Sequence, residues 1–213
     1  MIKGIIAVIF AYLLGSISNS IIVGHMFGVK DIREHGSGNA GSTNVLRTIG
    51  IKAAALTFIG DVLKGVIAPL LAYYFCDKSL PWTLAAGYAA IFGHVFPLFF
   101  GFKGGKGVAT SFGAVLTISI LTGKFYIPLL LLAVFVTVVA ASRYVSLGSV
   151  LVMAAYPIIV AFLFKGNYAY IVFAVLTALT GILKHKKNIL RLLNGNESKI
   201  GESKKKYNND KAN

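Results

Sequence analysis

Phe125-Tyr126-Ile127-Pro128-Leu129-Leu130-Leu131-Leu132-Ala133-Val134-Phe135-Val136-Thr137-Val138-Val139-Ala140-Ala141 carries no charge along its whole length. Wound as an α-helix at ~1.5 Å per residue it covers ~25 Å, most of the ~30 Å hydrocarbon layer of a bilayer. Six more predominantly apolar runs lie at 3–24, 51–75, 81–100, 108–122, 147–164 and 168–184. At ~20 residues each, seven runs take ~140 positions and leave about a third of the chain for everything polar. The pattern predicts an all-α integral membrane protein with seven transmembrane helices in a single unit, residues 1–200. Residues 201–213 are polar and are expected to be a cytoplasmic tail without fixed structure.

The whole composition agrees. Of 213 residues, 56% are apolar and 13% charged, against about 25% charged in a soluble domain. That excludes a disordered chain, a nucleic-acid module and an ordinary cytosolic enzyme. The N-terminus has the outline of a cleaved signal, with Lys3 followed by apolar residues to Leu14. The apolar character continues through Ile17, Ile21, Ile22 and Val23, so a first spanning helix is the better reading. The one cysteine, Cys76, cannot form an internal disulfide.

Net charge is +14, from 21 Lys and Arg against 7 Asp and Glu. Seven spans put the termini on opposite sides. The tail and the odd-numbered connections then hold fifteen of the basic residues, and the other side four. This bias places the N-terminus outside and the C-terminus in the cytoplasm. The outer connections, 76–80, 122–124 and 165–167, are bare turns. The chemistry is expected at the cytoplasmic face, where four polar clusters lie.

The first cluster is His35-Gly36-Ser37-Gly38-Asn39-Ala40-Gly41-Ser42-Thr43-Asn44-Val45-Leu46-Arg47. Its glycines allow close backbone approach and its N–H groups can form an anion nest. Ser37, Asn39, Thr43 and Asn44 offer uncharged hydrogen bonds, and Arg47 a planar fork for phosphate. A plain connecting loop is the alternative, and it leaves Arg47 and two asparagines unexplained beside a bilayer.

The second is Gly93-His94-Val95-Phe96-Pro97, then Gly101-Phe102-Lys103-Gly104-Gly105-Lys106-Gly107-Val108-Ala109-Thr110. It is not a Walker A loop, because Gly107 follows Lys106 where Ser or Thr belongs and no strand is expected before it. It leads into a helix at Val108, and a helix N-terminus suits phosphate. A positive-inside turn is the plainer alternative, and a histidine within a span is more often packing than chemistry.

The third cluster is Ser142-Arg143-Tyr144-Val145-Ser146-Leu147-Gly148-Ser149, where Arg143 either snorkels or joins the site. The fourth runs from Lys184 to Lys199. His185 and Asn188 are three apart and share a helical face. A polybasic anchor explains the lysines but not Glu197, which is expected to hold the tail against a basic partner. Deeper in the second span, Asp61 and Lys64 lie on one helical face and are expected to pair or to support the site.

Taken together these clusters resemble the bacterial acyl-phosphate-dependent glycerol-3-phosphate acyltransferase family. Gly36-Ser37-Gly38-Asn39, Gly41, Thr43-Asn44 and Arg47 are similar to its first motif, and Gly93-His94, Phe96-Pro97 and Phe102 to Thr110 to its second. His185, Asn188, Arg191-Leu192, Gly195, Glu197 and Lys199 are similar to its third. Asp61, Lys64-Gly65 and Arg143-Tyr144-Val145-Ser146 also fit, whereas Asn196 and Ser18 replace a common Thr and Pro.

The resemblance implies transfer of an acyl group from acyl phosphate to the 1-hydroxyl of sn-glycerol 3-phosphate at the bacterial inner membrane. It implies catalytic roles for Ser37, Arg47, His185 and Asn188. It implies substrate binding by Asn39, Thr43, Asn44, Lys103, Gly104, Gly105, Lys106, Gly107, Arg143 and Ser146. His94, Asp61, Lys64 and Glu197 are expected to support the site. No metal, cofactor or nucleic acid is expected. The partners are the two substrates and the bilayer. A soluble acyl-phosphate synthase docking on the basic tail is a further reading that lipid attraction explains equally well.

The residues themselves show no Ser-His-Asp arrangement. Ser37 is read as a hydrogen-bond donor. Two bases stay open, His185 and the donor's own phosphate, and the resemblance favours the phosphate. A transporter for a small organic phosphate is the competing class, supported by Asp61 and Lys64 within a span and opposed by the absence of internal repeats.

Overall fold

A computed structural model describes residues 1–164 and 166–200. The basic tail expected at 201–213, and Lys165 of the last outer turn, lie outside the described residues. The described chain is helical throughout. In order come α1 (Ile2–Gly15), α2 (Asn19–Met26), α3 (Ser42–Thr48), α4 (Ile51–Phe75), α5 (Leu80–Val95), α6 (Val108–Leu121), α7 (Tyr126–Ser142), α8 (Val145–Leu163), α9 (Tyr168–Lys184) and α10 (Lys186–Leu193). Short 3-10 turns at Ile32–Glu34 and Leu98–Phe100 brace the loops after α2 and α5.

All seven apolar runs are helical, but not as seven equal rods. The stretch Ile2–Met26, helix α4, the stretch Leu80–Phe100 and α8 are long and apolar enough to cross a bilayer. Helices α9 and α10, bent by 59° at His185, reach that length only when counted together. Helices α6 and α7 are apolar but shorter. At 14 residues, α6 rises only ~21 Å, because the glycines before Val108 are spent on a turn. The first run is interrupted at Ser16–Ser18, between α1 and α2.

That interruption frees carbonyls inside an apolar layer, where each must find a donor. Lys64 of α4 supplies it, with Nζ donating to Gly15 O at 3.0 Å and Ile17 O at 2.7 Å. Its charge is balanced by Asp61 one turn earlier, 3.1 Å away.

Helix packing rests on small residues that let backbones touch. A Cβ on Gly15 would overlap the Ala90 carbonyl of α5, and one on Gly93 the Tyr12 carbonyl of α1. Gly65 and Gly113 interlock α4 and α6 in the same way. Between α1, α4 and α5 the buried contacts are largely alanine, including Ala11, Ala68, Ala72, Ala86 and Ala90. A larger core of Ile91, Ile118, Ile127, Tyr156, Tyr170 and Phe173 joins α5 through α9. The outward faces expose Ile5, Ile9, Phe10, Leu129, Val136, Ile158 and Phe162. A water-facing bundle would not carry such a surface; lipid covers it at no cost.

Candidate active site

Asn44 shapes the first polar loop. Its Oδ1 accepts from Ser37 N at 2.8 Å and Ser37 Oγ at 3.1 Å. Its Nδ2 donates to Ile32 O and His35 O at 3.0 and 2.9 Å. One buried amide therefore closes the loop on itself, and the Ser37 hydroxyl is turned to an amide oxygen, not to an imidazole. Thr43 and Arg47 lie one turn apart on α3 and both face the cavity described below. Arg47 has no hydrogen-bonding or carboxylate partner among the described residues, so its fork is open to a ligand.

Arg33 fastens this loop to the next. Its Nε and Nη2 grip Asp31, and its Nη1 donates to Phe100 O at 2.8 Å and Lys103 O at 3.3 Å. The hydrogen bonds from Arg33 hold the Asp31 carboxyl below the usual carboxylate range.

The second loop folds back on the end of α5. Gly104 N donates to Val95 O and Gly105 N to His94 O, at 3.3 and 3.1 Å. Gly107 then takes a left-handed conformation, φ +83°, that starts α6. The open N–H groups of α6 and the positive end of its dipole thus sit beside Lys106.

The turn between α9 and α10 brings in the third group. His185 Nδ1 lies 2.7 Å from Gly181 O, which makes Nδ1 the donor and leaves Nε2 as an acceptor. Burial, reinforced by the Lys106 charge, lowers the His185 pKa to about 4. Asn188 is held from both sides: Lys106 Nζ donates to its Oδ1 at 2.5 Å, and its Nδ2 donates to Glu197 Oε1 at 2.7 Å. Glu197 also accepts from Ser146 Oγ at 3.0 Å and Arg191 Nε at 2.7 Å. Burial raises its pKa, but the hydrogen bonds from Asn188, Arg191 and Ser146 outweigh that and keep it below normal. Burial also lowers Lys106 to about 8, helped by Arg191 and Arg47 and opposed by Glu197.

These groups surround one cavity of about 330 Å³. Ser37, Arg47, His185 and Asn188 all line it, as do Asn39, Thr43, Asn44, Lys106, Gly107 and Ser146. Asp61, His94 and Glu197 reach its wall. Lys103 is exposed and, with Gly104 and Gly105, stands behind the lining. Arg143 is also exposed and donates from Nη2 to Ile200 O at 2.8 Å. Lys64 lies deeper, under Asp61.

Phe58 and Phe135 were not singled out as site residues in the sequence. With Val108, Ala109 and Ser149, which belong to the polar clusters, they are shared with a second, apolar cavity of about 140 Å³ that runs between α6, α7, α8 and α9 toward Tyr156. A phenylalanine facing a cavity and one facing lipid look alike in a span. Asn19 was also missed; it stands in the first run and donates from Nδ2 to Asp61 Oδ1 at 3.0 Å. A lone amide in an apolar run was the available signal.

The second loop is close-fitting, which yields a test. A Cβ on Gly105 would overlap the His94 ring and lie 2.5 Å from Ala40 O. Gly105→Ala is expected to raise the KM for a phosphate-bearing substrate about tenfold while moving kcat less than threefold, because the turn is displaced and the reacting atoms are not. Initial rates against substrate concentration check it.

The site has an unusual combination of parts. Two cations, Arg47 and Lys106, and a helix N-terminus surround a polar cavity that opens into an apolar slot. That defines a membrane protein built to hold a phosphate-bearing head beside a hydrocarbon chain. The chain belongs to the glycerol-3-phosphate acyltransferase family, whose pattern it matches over residues 5–195. A glycerol-3-phosphate acyltransferase of Clostridioides difficile (strain 630) is 48% identical over 204 residues, covering 94% of this chain and 97% of that one. One from Listeria monocytogenes is 43% identical, covering 90% and 94%. Among solved structures, the chain is similar to PlsY (YgiH), an integral membrane glycerol 3-phosphate acyltransferase. Its glycerol 3-phosphate form has TM-score 0.84, 38% identity and coverage of 93% and 96%. Its lysophosphatidic acid form has TM-score 0.82 and 37% identity, with coverage of 93% and 95%.

Proposed function

We propose that the protein transfers a fatty acyl group from acyl phosphate to the 1-hydroxyl of sn-glycerol 3-phosphate. The products are 1-acylglycerol 3-phosphate, which is lysophosphatidate, and inorganic phosphate. This is the first acylation of phospholipid synthesis. The observation that carries the reading is the junction of the two cavities. Among the described residues Arg47 has no hydrogen-bonding or carboxylate partner and Lys106 is tied only to the neutral Asn188 amide, so both suit phosphate. The slot reached past Phe58, Val108 and Phe135 suits an acyl chain.

The carbonyl carbon of the acyl phosphate then lies where the cavities meet. The glycerol oxygen attacks it, a C–O ester bond forms, and the C–O bond to phosphate breaks. The hydroxyl proton leaves with the phosphate. An anhydride donor has a good leaving group, so positioning and charge stabilisation suffice and no covalent enzyme intermediate is needed. The open N–H groups at the start of α6 stabilise the developing oxyanion, and the Ser37 hydroxyl joins them by turning from Asn44 Oδ1, which it meets at 3.1 Å. Arg47 holds the donor phosphate, and Lys106 and Gly107, presented by the turn that Gly104 and Gly105 form behind them, hold glycerol 3-phosphate.

His185 is too weak a base for the proton at neutral pH, since a pKa of about 4 lies far from the operating range. It orients the hydroxyl through Nε2. His185→Ala is therefore expected to lower kcat about 10–100-fold without abolishing turnover, and no titration of His185 is expected between pH 5 and 8. A pH profile of kcat checks both.

Lys106 gives the opposite expectation. Its pKa of about 8 means it is charged below that pH and loses its charge as pH rises through it. The KM for glycerol 3-phosphate should climb above pH 8, and Lys106→Arg, which stays charged, should flatten the climb. Initial rates from pH 6.5 to 9.5 measure this.

The topology proposed with this function has seven spans, with the N-terminus outside and the site at the cytoplasmic face of the bacterial inner membrane. The fifteen-to-four distribution of basic residues supports it. The competing transporter reading predicts uptake of glycerol 3-phosphate into proteoliposomes without acyl transfer. The deciding experiment is acyl transfer by the purified protein from acyl phosphate.

A further inference from the structure

We propose that His94, anchored by Asp61, is a positioning residue for the glycerol-3-phosphate site, setting where the Gly104–Gly107 turn meets the first polar loop. The inference rests on the acyl-transfer reading and assigns a task to a buried group that the reaction itself does not use.

His94 stands at the end of α5 and is 7% exposed, with its remaining exposure toward the polar cavity. One edge of its ring faces inward, with Nδ1 3.4 Å from Asp61 Oδ1. Asp61 cannot move to follow it. The same carboxylate oxygen accepts from Asn19 Nδ2 of α2 at 3.0 Å and meets Lys64 Nζ at 3.1 Å. Lys64 is itself fixed by the Gly15 and Ile17 carbonyls at the break between α1 and α2. The imidazole is thus pinned to a point shared by three helical segments.

The opposite edge of the ring faces the loops. A Cβ on Gly105 would overlap Nε2, lie 2.9 Å from Cε1 and lie 2.5 Å from Ala40 O. Gly105 is therefore pressed between the His94 ring and the backbone of the first loop. The ring is the spacer that transmits a fixed intramembrane position to a turn ending at the cavity-lining Lys106 and Gly107. A histidine that merely filled space would need only burial. Here one edge faces a carboxylate and the other limits the backbone of the turn that presents Lys106. Carboxylate-backed imidazoles hold one ring orientation for this reason.

Two substitutions separate the edges. His94→Asn keeps a donor near the Nδ1 position for Asp61 but removes the edge that meets Gly105. His94→Phe keeps the ring and removes the bond to Asp61. Each is purified, checked for a single folded species, and assayed with palmitoyl phosphate and glycerol 3-phosphate beside the unmodified protein. Equilibrium binding of labelled glycerol 3-phosphate is measured on the same samples.

His94→Asn is expected to raise the KM and the binding constant for glycerol 3-phosphate at least tenfold. Its KM for palmitoyl phosphate should stay within twofold and its kcat within fivefold. Free imidazole should restore part of the loss in His94→Gly, since the ring's place borders the cavity. His94→Phe should show a smaller rise of the same kind. If His94→Asn does not fold, His94→Phe and the rescue of His94→Gly carry the test. Glycerol 3-phosphate parameters within twofold of the unmodified protein, or an equal rise for both substrates, would overturn the proposal. If the unmodified protein forms no product, the acyl-transfer reading fails, and the binding constants still decide the role of His94.

Discussion

Arg47→Ala is expected to lower kcat/KM by about 10³-fold while leaving the protein as stable as before. The two halves of that expectation have one cause. Arg47 lines the polar cavity and has no hydrogen-bonding or carboxylate partner among the described residues. Its removal therefore breaks nothing in the fold, and its energy is realised only with a bound anion. Losing one preorganised donor to developing charge costs roughly 10²–10³ in rate, and a phosphate-binding fork adds a share from binding. Arg47→Lys should recover only part, about tenfold, because a point charge does not reproduce the planar fork. Kinetics with both substrates and a thermal melt of each variant check the pair of effects.

Glu197→Ala is expected to do the reverse and fail first as a folded protein. Glu197 is 7% exposed. It accepts from Ser146, Asn188 and Arg191 at once, tying α8 to α10 and to the segment that follows it. Removing one member of such a buried charged network costs about 3–5 kcal/mol, because its partners are left unpaired. Asn188 would also lose the bond that turns its Oδ1 toward Lys106. Glu197→Gln keeps an acceptor without the charge and should fall between the two. The pH dependence has a definite sign. The carboxyl's folded pKa is lowered, so its contribution is complete above the ordinary carboxylate range. It is lost as pH falls through the lowered value. Melting temperatures of the three proteins from about pH 2.5 to 7, which spans the range below the ordinary carboxylate value, test this.

Much of the site could be read before any coordinates, for an energetic reason. In a chain this apolar, a Ser, Asn, Arg or Lys beside a span needs a partner, so polar clusters stand out. Ser37, Arg47, Lys106, His185 and Asn188 were separated by up to ~150 positions in the chain, and the structure places them around one cavity. What spacing could not show was which member faces inward. Lys103 and Lys106 flank the same two glycines, yet one is exposed and the other bonds Asn188. Left-handed residues at Phe102 and Gly107 bracket the pair, and residue spacing does not reveal them. Arg143 also read as a phosphate ligand; the structure places it outside the cavity lining, with Nη2 donating to Ile200 O of the segment that reaches back from α10. Such long-range pairing leaves no periodic trace. The apolar slot was equally silent, since Phe135 and Leu129 belong to one uncharged run and only one of them lines a cavity.

Helix lengths were legible in outline only. Hydropathy marked seven runs, but it does not register a break that a distant lysine repairs. The interruption at Ser16–Ser18 is tolerable because Lys64 reaches its carbonyls, a contact 47 and 49 residues away in sequence. Likewise, α6 begins late because the glycines ahead of it form a turn that folds back on the end of α5.

The central claim is that the junction of a cationic cavity and an apolar slot performs acyl transfer from an acyl phosphate. The direct measurement is product formation by the purified, detergent-solubilised protein from palmitoyl phosphate and labelled glycerol 3-phosphate, with palmitoyl-CoA as the alternative donor and Arg47→Ala run in parallel. Labelled lysophosphatidate from palmitoyl phosphate, absent with palmitoyl-CoA and lost in Arg47→Ala, is the result this account predicts. A folded protein that yields no lysophosphatidate from palmitoyl phosphate would contradict it.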